Sequence, residues 1–249
     1  MQLIVDSLIT NYTRAGRGKV IVLLHGWGDS LATFNDLGRE LAGGFEVITL
    51  DLPGFGQTQS PKFAWTLDDY AHFVKNFLDK LGVKPDVIVG HSNGGALAIR
   101  GLSMDVLKSE KLVLLASSGV RNTKSVQRNL IKTIAKIGKI STFWMPRRHK
   151  QKLQKWLYGA VGSDMLVVPH MQETFRQTVR QDIQKDALKI TVPTLLIYGD
   201  KDRATPSQSI GNKLHKLISG SQMEVIPEAG HFIHHDALGV VAKLIKDFA

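Results

Sequence analysis

Short runs of aliphatic and β-branched residues alternate along the chain with longer runs whose apolar positions recur at helical spacing. Val87 to Val89 is apolar on both sides of any pleat, as is typical of a central strand covered on two faces. Leu67 to Leu81 has the spacing of an amphipathic helix, and Thr66 is a favoured residue for its N-cap. This alternation predicts an α/β fold with a mainly parallel, twisted sheet flanked by helices. The other predicted strands are Glu46 to Leu50, Lys111 to Leu115, Thr194 to Tyr198 and Met223 to Ile226, and the other predicted helices are Leu31 to Leu41, Ala96 to Leu102, one from Pro206 and one from about Asp236.

The start of the chain has the pattern of a β-hairpin. Leu3 to Tyr12 and Lys19 to Leu24 are both rich in strand-forming residues, and Gly16-Arg17-Gly18 lies between them. A short link that contains glycine, placed between two such runs, is typical of paired antiparallel strands. We therefore expect these two segments to pair side by side.

After Gly119 the strand–helix alternation stops for about 70 residues and basic helical patterns replace it. The sequence therefore predicts one sheet in two parts, with a helical cap inserted after the strand at Lys111 to Leu115. The first part of the core is residues 1–119, the cap is residues 120–190, and the second part of the core is residues 191–249. Within the cap, Val126, Leu130, Ile134 and Ile137 share one apolar helix face.

The net charge of +10 lies in the predicted cap, where residues 120–190 contain 15 Lys and Arg against 4 Asp and Glu. Three interpretations stay open: a solvated outer face of a cap helix, a surface that attracts anionic substrates, and a weak, salt-sensitive contact with an anionic membrane surface. No nucleic-acid partner is expected, since no binding motif accompanies the charge.

Several classes of protein are excluded by composition. No run reaches the roughly 18 apolar residues of a membrane-spanning helix, and residues 1–10 lack the pattern of a signal peptide, so we expect a cytoplasmic protein. With no cysteine, the chain has no disulfide, no cysteine nucleophile and no thiolate metal site.

A polar cluster interrupts two apolar elements in DVIVGHSNGGALAIRGL, residues 86–102. Gly90, Ser92 and Gly94 form a Gly-x-Ser-x-Gly pattern between a predicted strand and a predicted helix. A serine at such a turn is exposed at the sheet edge, and its neighbours two residues away must be small because strand and helix nearly touch. This context predicts that Ser92 is a nucleophile.

A base and an acid follow in the order that a Ser-Asp-His arrangement requires. LLIYGDKDRATP offers Asp200 and Asp202, and we favour Asp202 because it lies farther into the loop. PEAGHFIHHDAL offers His231 as the base, directly after Gly230. We expect His234 and His235 to face solvent at the start of the last helix. The histidines do not match a zinc spacing with a carboxylate partner, so no metal site is predicted.

The segment VLLHGWGDS follows an early predicted strand and supplies a second backbone donor. Gly26 permits a tight bend, and the backbone N–H of Trp27 is placed to pair with that of Asn93 as an oxyanion hole. We interpret His25 as a residue that braces this loop by hydrogen bonds, because the base comes last in this order of motifs.

Together these motifs, with DLPGFGQTQSP at residues 51–61, resemble the α/β-hydrolase fold family, in its small esterase-like branch with an inserted cap. The resemblance covers both parts of the predicted sheet. It implies a triad of Ser92, His231 and Asp202, oxyanion donors at Trp27 and Asn93, and no cofactor. The expected function is hydrolysis of a lipid-like or other small carboxylic ester or thioester with an apolar acyl group.

The same fold also supports C–C bond hydrolysis, acyl transfer and non-catalytic ligand binding, so these alternatives stay open. Four apolar residues of the predicted cap either line an acyl pocket or form the cap's own core: Trp144, Met145, Met165 and Leu166.

Overall fold

The computed structural model describes residues 1–120 and 169–249. Most of the predicted cap, including its basic helix and the pocket candidates Trp144, Met145, Met165 and Leu166, lies outside the described residues. None of the helices in the two described ranges combines the length and the apolarity that crossing a membrane requires.

The predicted α/β fold is confirmed, because the described residues form one eight-stranded sheet in the order β1-β2-β4-β3-β5-β6-β7-β8. The six strands from β4 across to β8 in this order run parallel, whereas β1 and β2 are antiparallel to their neighbours. The strands are β1 Gln2–Val5, β2 Leu8–Gly16, β3 Val20–Leu24, β4 Glu46–Leu50, β5 Val87–His91, β6 Lys111–Leu115, β7 Thr194–Gly199 and β8 Gln222–Ile226.

The predicted hairpin between β2 and β3 is wrong. β4 lies between these strands, so that β2 pairs antiparallel with β4 and β3 pairs parallel with it. The hairpin partner of β2 is β1, across the turn at Asp6 and Ser7, which have φ of 46° and 64°. β3 is buried along most of its length, and a strand of this kind is stable between two parallel neighbours.

The helices lie on both faces of the sheet, as expected for this class of fold. A 3₁₀ turn at Leu31–Phe34 precedes the first α-helix, and a π-turn at Ser207–Gly211 precedes the sixth. The helices are α1 Asn35–Leu41, α2 Leu67–Leu81, α3 Asn93–Ser103, α4 Gln172–Arg180, α5 Gln184–Ala187, α6 Asn212–Leu217, α7 Ile233–Asp236 and α8 Leu238–Phe248.

The N-terminus of α2 has the cap that the sequence predicts. The Thr66 side chain accepts a hydrogen bond from the backbone N–H of Asp69, and the Asp69 carboxylate accepts one from the backbone N–H of Thr66. This reciprocal capping box satisfies two backbone donors at the start of the helix. It fixes the residue at which α2 begins.

Hydrogen bonds join residues 174–186 to the core. The backbone N–H of Trp65 donates to Thr174 Oγ1 over 3.1 Å, and that of Leu67 donates to Gln181 Oε1 over 2.6 Å. Arg100 of α3 binds Asp68 through two nitrogens and Asp186 through a third. α4 and α5 are therefore attached to α2 and to the helix that begins beside Ser92.

Candidate active site

Ser92 lies at a sharp turn between β5 and α3. Its φ of 51° and ψ of −116° are unfavourable for a residue with a side chain. The turn is held from both sides, since Ser92 N–H donates to Leu115 O over 3.0 Å and Ser92 O accepts from Ser118 N–H at the same distance. The end of β6 thus stabilises a strained conformation at the end of β5.

The glycines on either side of Ser92 are required by close packing, as the sequence predicts. A Cβ atom on Gly90 would lie 2.6 Å from Gly94 O, and one on Gly94 would lie 2.6 Å from His25 O. Real Cβ atoms essentially never approach so closely. Only glycine at both positions lets α3 begin directly against β3 and β5.

The structure brings Ser92, His231 and Asp202 together from three separate segments. Ser92 Oγ lies 3.0 Å from His231 Nε2, and His231 Nδ1 lies 2.8 Å from Asp202 Oδ2. Because a carboxylate accepts and does not donate, we assign the ring proton to Nδ1 and the acceptor role to Nε2. The Asp202 side chain is fully buried, whereas 19% of the His231 side chain is exposed. This geometry allows His231 to take a proton from Ser92 while Asp202 orients the ring.

Asp202 is held as an anion by four donors. Its Oδ1 accepts from the backbone N–H groups of Ala204 and Thr205, and its Oδ2 accepts from His231 and from the Thr205 hydroxyl. Burial alone would raise the pKa of Asp202, but these hydrogen bonds, with that from His231 the largest, outweigh it and lower the pKa. Asp200 is placed elsewhere: it is exposed, and its carboxylate lies 3.5 Å from Lys201 Nζ.

Thr205 is a site residue that sequence reasoning did not single out. Its Oγ1 lies 2.7 Å from Asp202 Oδ2, 3.2 Å from His231 Nδ1 and 2.9 Å from Ala116 O. The available signal was the short spacing Asp-x-x-Thr, in which an aspartate accepts from backbone amides two and three residues later. The contact with Ala116, the residue directly after β6, has no local signal.

His91 is the second residue of this kind. Its Nε2–H donates to the backbone carbonyl of His231 over 3.0 Å, and its Nδ1 has no partner among the described residues. Burial lowers the pKa of His91 well below its usual value, and the neighbouring His234 and His231 lower it further. His91 is therefore a neutral side chain that joins the end of β5, directly before Ser92, to the loop of His231.

His234 is buried, so the prediction that it faces solvent is wrong. Only 1% of it is exposed, its Nε2 lies 3.0 Å from Thr33 Oγ1, and its ring packs against Phe34. Burial is the largest cause that lowers the pKa of His234 to about 3. His235 is exposed as predicted, and its Nε2–H donates to Thr33 O over 2.8 Å. The two histidines differ because the His234 ring packs against Phe34, whereas His235 contacts Thr33 O from an exposed position.

The segment with Gly26 and Trp27 lies beside the serine. A Cβ on Gly26 would lie 3.1 Å from Ser92 Cβ, so this backbone passes directly over the turn at Ser92. Neither Trp27 N–H nor Asn93 N–H has an acceptor within residues 1–120 and 169–249. Asn93 is the first residue of α3, where free amides and the helix dipole favour negative charge.

His25 braces this segment, as the sequence predicts. Its Nδ1–H donates to Gly26 O over 2.8 Å, and its Nε2 accepts from Leu52 N–H over 2.9 Å. Burial lowers the pKa of His25, so the ring is neutral. One of its nitrogens therefore donates and the other accepts. His25 thereby ties the loop after β3 to the loop after β4.

Aromatic side chains surround Trp27. The Trp27 ring lies 4.8 Å from that of Phe55, in the 51–61 loop, and 5.0 Å from that of Phe175 on α4. The loop itself is held by Asp51, whose carboxylate accepts from Leu31 N–H and Gln57 N–H. Three parts of the chain thus form one aromatic cluster around Trp27, the residue that follows Gly26.

A mainly parallel sheet with a strained serine at a strand-to-helix turn, and a histidine and an aspartate beside it, is the architecture of the alpha/beta hydrolases. Residues 21–244 match the model of the alpha/beta hydrolase family. The chain belongs to this family.

The chain is similar to several proteins that are named as hydrolases or esterases. The uncharacterized hydrolase YugF of Bacillus subtilis (strain 168) is 27% identical, over 98% of this chain and 94% of that protein. The 2-hydroxy-6-oxo-6-(2'-aminophenyl)hexa-2,4-dienoic acid hydrolase of Metapseudomonas resinovorans is 28% identical, over 90% of this chain and 81% of that protein. The structure of an esterase from Exiguobacterium antarcticum matches with a TM-score of 0.77 at 20% identity, over 99% of this chain and 98% of the esterase. Family and relatives together support a hydrolase.

Proposed function

We propose that the protein is a serine hydrolase that cleaves carboxylic esters or thioesters with an apolar acyl group. The observation that carries this proposal is the continuous hydrogen-bonded series Ser92 Oγ, His231 Nε2, His231 Nδ1 and Asp202 Oδ2, with distances of 3.0 Å and 2.8 Å. A serine hydroxyl is a weak nucleophile unless a base beside it accepts its proton. Here the base is in contact and is itself oriented by a buried anion.

In the acylation step, His231 Nε2 accepts the proton of Ser92 as Oγ attacks the carbonyl carbon of the substrate. The carbonyl oxygen becomes an oxyanion, which accepts hydrogen bonds from the free backbone N–H groups of Trp27 and Asn93. His231 then returns its proton to the leaving alcohol or thiol as that bond breaks. The product of this step is an acyl ester on Ser92.

Water completes the cycle by the same route. His231 Nε2 accepts a proton from a water molecule, whose oxygen attacks the acyl carbon, and the oxyanion is again held by the two amides. His231 donates the proton to Ser92 Oγ as the ester bond breaks. The carboxylic acid leaves and the resting enzyme is restored, with no cofactor consumed.

An apolar acyl group matches the aromatic cluster around Trp27, the residue whose N–H is the proposed oxyanion donor. Trp27 and Phe55 are more than nine-tenths buried, and Phe175 also packs against Trp27. Met171, which is 3% exposed, adds a flexible thioether against Gly54. Ligand sites of this kind take most of their binding energy from apolar contact, and a few polar groups orient the reacting atoms.

Turnover of p-nitrophenyl esters, in a series from acetate to laurate, tests the proposal. We expect hydrolysis by the wild type, labelling of Ser92 by a fluorophosphonate probe, and a loss of at least about a thousandfold in Ser92→Ala. A folded wild type that neither hydrolyses any member of the series nor reacts with the probe would contradict it. That outcome would favour a non-catalytic, ligand-binding member of the family.

A second candidate reaction is hydrolysis of a C–C bond, which the relative from Metapseudomonas resinovorans carries in its name. This candidate uses the same serine and histidine, so the Ser92→Ala variant does not separate the two reactions. Loss of the visible absorption of a 2-hydroxy-6-oxohexa-2,4-dienoate does. We expect the p-nitrophenyl esters to be cleaved with the higher kcat/KM, and the reverse order would assign the protein to C–C hydrolysis.

A further inference from the structure

The Thr205 hydroxyl has more polar neighbours than it has hydrogens. Its single hydrogen lies between Asp202 Oδ2, at 2.7 Å, and Ala116 O, at 2.9 Å. The third neighbour, His231 Nδ1 at 3.2 Å, carries its own proton and therefore acts as a donor. With 4% of Thr205 exposed, water does not replace any of these partners.

The hydrogen of Thr205 goes to Asp202 in the resting arrangement, because a charged acceptor at the shorter distance gives the stronger bond. Ala116 O is the alternative acceptor. Ala116 has a φ of 45°, a conformation that side-chain-bearing residues rarely adopt, while its N–H donates to Ile197 O over 2.8 Å. A strained residue at the end of β6 thus presents its carbonyl to the hydroxyl that contacts the acid.

The two oxygens of Asp202 are held in different ways. Oδ1 is fixed by two backbone amides, Ala204 N–H at 2.7 Å and Thr205 N–H at 2.9 Å. Oδ2, the oxygen that faces His231, has only side-chain donors, namely His231 and Thr205. Removal of the hydroxyl therefore leaves the loop intact but leaves Oδ2 with His231 as its one remaining donor among the described residues.

We propose that Thr205 is a positioning residue of the active site, whose hydroxyl fixes Asp202 Oδ2 and partly neutralises it against His231. This inference rests on the proposed function. Without the hydroxyl, Asp202 Oδ2 is less well oriented and also carries more uncompensated negative charge. The first change lowers turnover, and the second stabilises the positively charged form of His231.

The other titratable groups around this pair leave Asp202 as the dominant charge. Burial is the main cause that lowers the pKa of both His91 and His234, so the two rings stay neutral. Burial likewise raises the pKa of Tyr198, beside Asp202. Asp236, which accepts from Gly230 N–H next to His231, is exposed and screened by water. A change in the charge on Asp202 Oδ2 should therefore change the stability of the positively charged form of His231.

Three variants test this role. Thr205→Val keeps the shape of the side chain and removes the hydroxyl, whereas Thr205→Ser keeps the hydroxyl and removes the methyl group. Thr194→Val is the matched control, because Thr194 is 1% exposed, lies on the same strand β7 that leads to Asp202, and donates its hydroxyl to Val192 O over 2.9 Å. Thr205→Ala replaces Thr205→Val if the latter does not fold.

For ester hydrolysis we expect Thr205→Val to lower kcat about tenfold with little change in KM, because the lost bond orients the base and does not bind substrate. We also expect the acidic limb of the pH–rate profile to move up by about half a pH unit. Thr205→Ser should recover most of the kcat and the position of the limb. A loss of stability alone would not move that limb, which separates positioning from folding.

An NMR titration of the His231 ring, measured without substrate, gives a reading that does not depend on turnover. Its midpoint should move to higher pH in Thr205→Val and return in Thr205→Ser, even if no ester is hydrolysed and the proposed function fails. In an Asp202→Asn background, Thr205→Val should have no further effect, since the hydroxyl acts through the carboxylate.

Three results would overturn the proposal. If the wild type and Thr205→Val have equal kcat values, acidic limbs and titration midpoints, the hydroxyl has no positioning role. Thr205→Ser resembling Thr205→Val would assign the effect to packing of the methyl group. Equal losses in Thr194→Val and Thr205→Val would reduce it to the loss of any buried hydroxyl.

Discussion

The imidazole of His91 donates its Nε2–H to the backbone carbonyl of His231 over 3.0 Å. His91 is the last residue of β5 and directly precedes Ser92, whereas His231 lies in the loop between β8 and α7. One neutral, buried side chain thus joins the turn with the proposed nucleophile to the loop with the proposed base. The distance between Ser92 Oγ and His231 Nε2 depends on both segments.

Substitution of His91 tests this connection. In His91→Gln, the side-chain amide places a hydrogen-bond donor close to the position of the imidazole Nε2. The side chain of His91→Leu has no donor. We expect His91→Leu to lower kcat for ester hydrolysis about tenfold, because a lost hydrogen bond from a buried donor lets the base loop move. His91→Gln should retain most of the kcat, with KM similar in both. Equal kcat values in folded samples of the two variants would show that the hydrogen bond has no such effect.

The choice between Asp202 and Asp200 is open to a direct comparison. Asp202→Asn keeps the shape of the side chain but replaces a charge that faces His231 Nδ1, so we expect kcat/KM to fall by roughly a thousandfold or more. Asp200→Asn alters an exposed carboxylate near Lys201 and should change kcat/KM by less than about threefold. Steady-state kinetics on one ester measures both, and the opposite ranking would contradict the proposed triad.

Predictions from local pattern succeeded where the determining contacts lie within one strand–turn–helix unit. The alternation of apolar runs predicted the sheet, and the spacing of Gly90 and Gly94 predicted the close contact that the structure contains. Pairing between strands is not local, because β3 and β2 are adjacent in the chain but separated by β4 in the sheet. No pattern within residues 16–24 contains that information.

The residues around the proposed base show the same limit. His234 is buried by Thr33 and Phe34, which are about 200 positions earlier in the chain. Thr205 and His91 each act on another segment, through Asp202 and through the backbone of His231. Their roles depend on distances between side chains and backbone groups that a sequence does not contain, whereas Ser92, Asp202 and His231 stand in motifs with a fixed order.

Close packing at the turn around Ser92 predicts a large effect of a single added methyl group. In Gly94→Ala the new Cβ would lie 2.6 Å from His25 O, so α3 must move away from β3. We expect the free energy of unfolding to fall by about 3 kcal/mol or more, because neither backbone can yield easily. Gly239→Ala is the control, since a Cβ at this exposed position on α8 meets nothing within 4 Å. It should raise stability by roughly 0.5 kcal/mol. Urea unfolding measures both, and equal stability of the two variants would contradict the packing argument.

The buried histidine beside Thr33 predicts how stability depends on pH. Burial lowers the pKa of His234 to about 3, whereas an unfolded histidine titrates near about 6.5. The unfolded chain therefore binds more protons between these values, so the stabilisation is complete above about pH 6.5 and is lost as pH falls toward about 3. Near pH 5, each decrease of one pH unit should lower the free energy of unfolding by about 1.4 kcal/mol because of this group.

Replacement of His234 by Gln removes the titrating group and retains a polar atom near Thr33. We expect the free energy of unfolding of His234→Gln to fall less steeply than that of the wild type between pH 6 and pH 4, by up to about 1.4 kcal/mol per pH unit. His72→Gln, at an exposed position on α2, should keep the wild-type slope. Chemical unfolding at a series of pH values compares the three proteins. A slope for His234→Gln that equals the wild-type slope would contradict the prediction, because it would mean that His234 binds protons equally in the folded and unfolded chains.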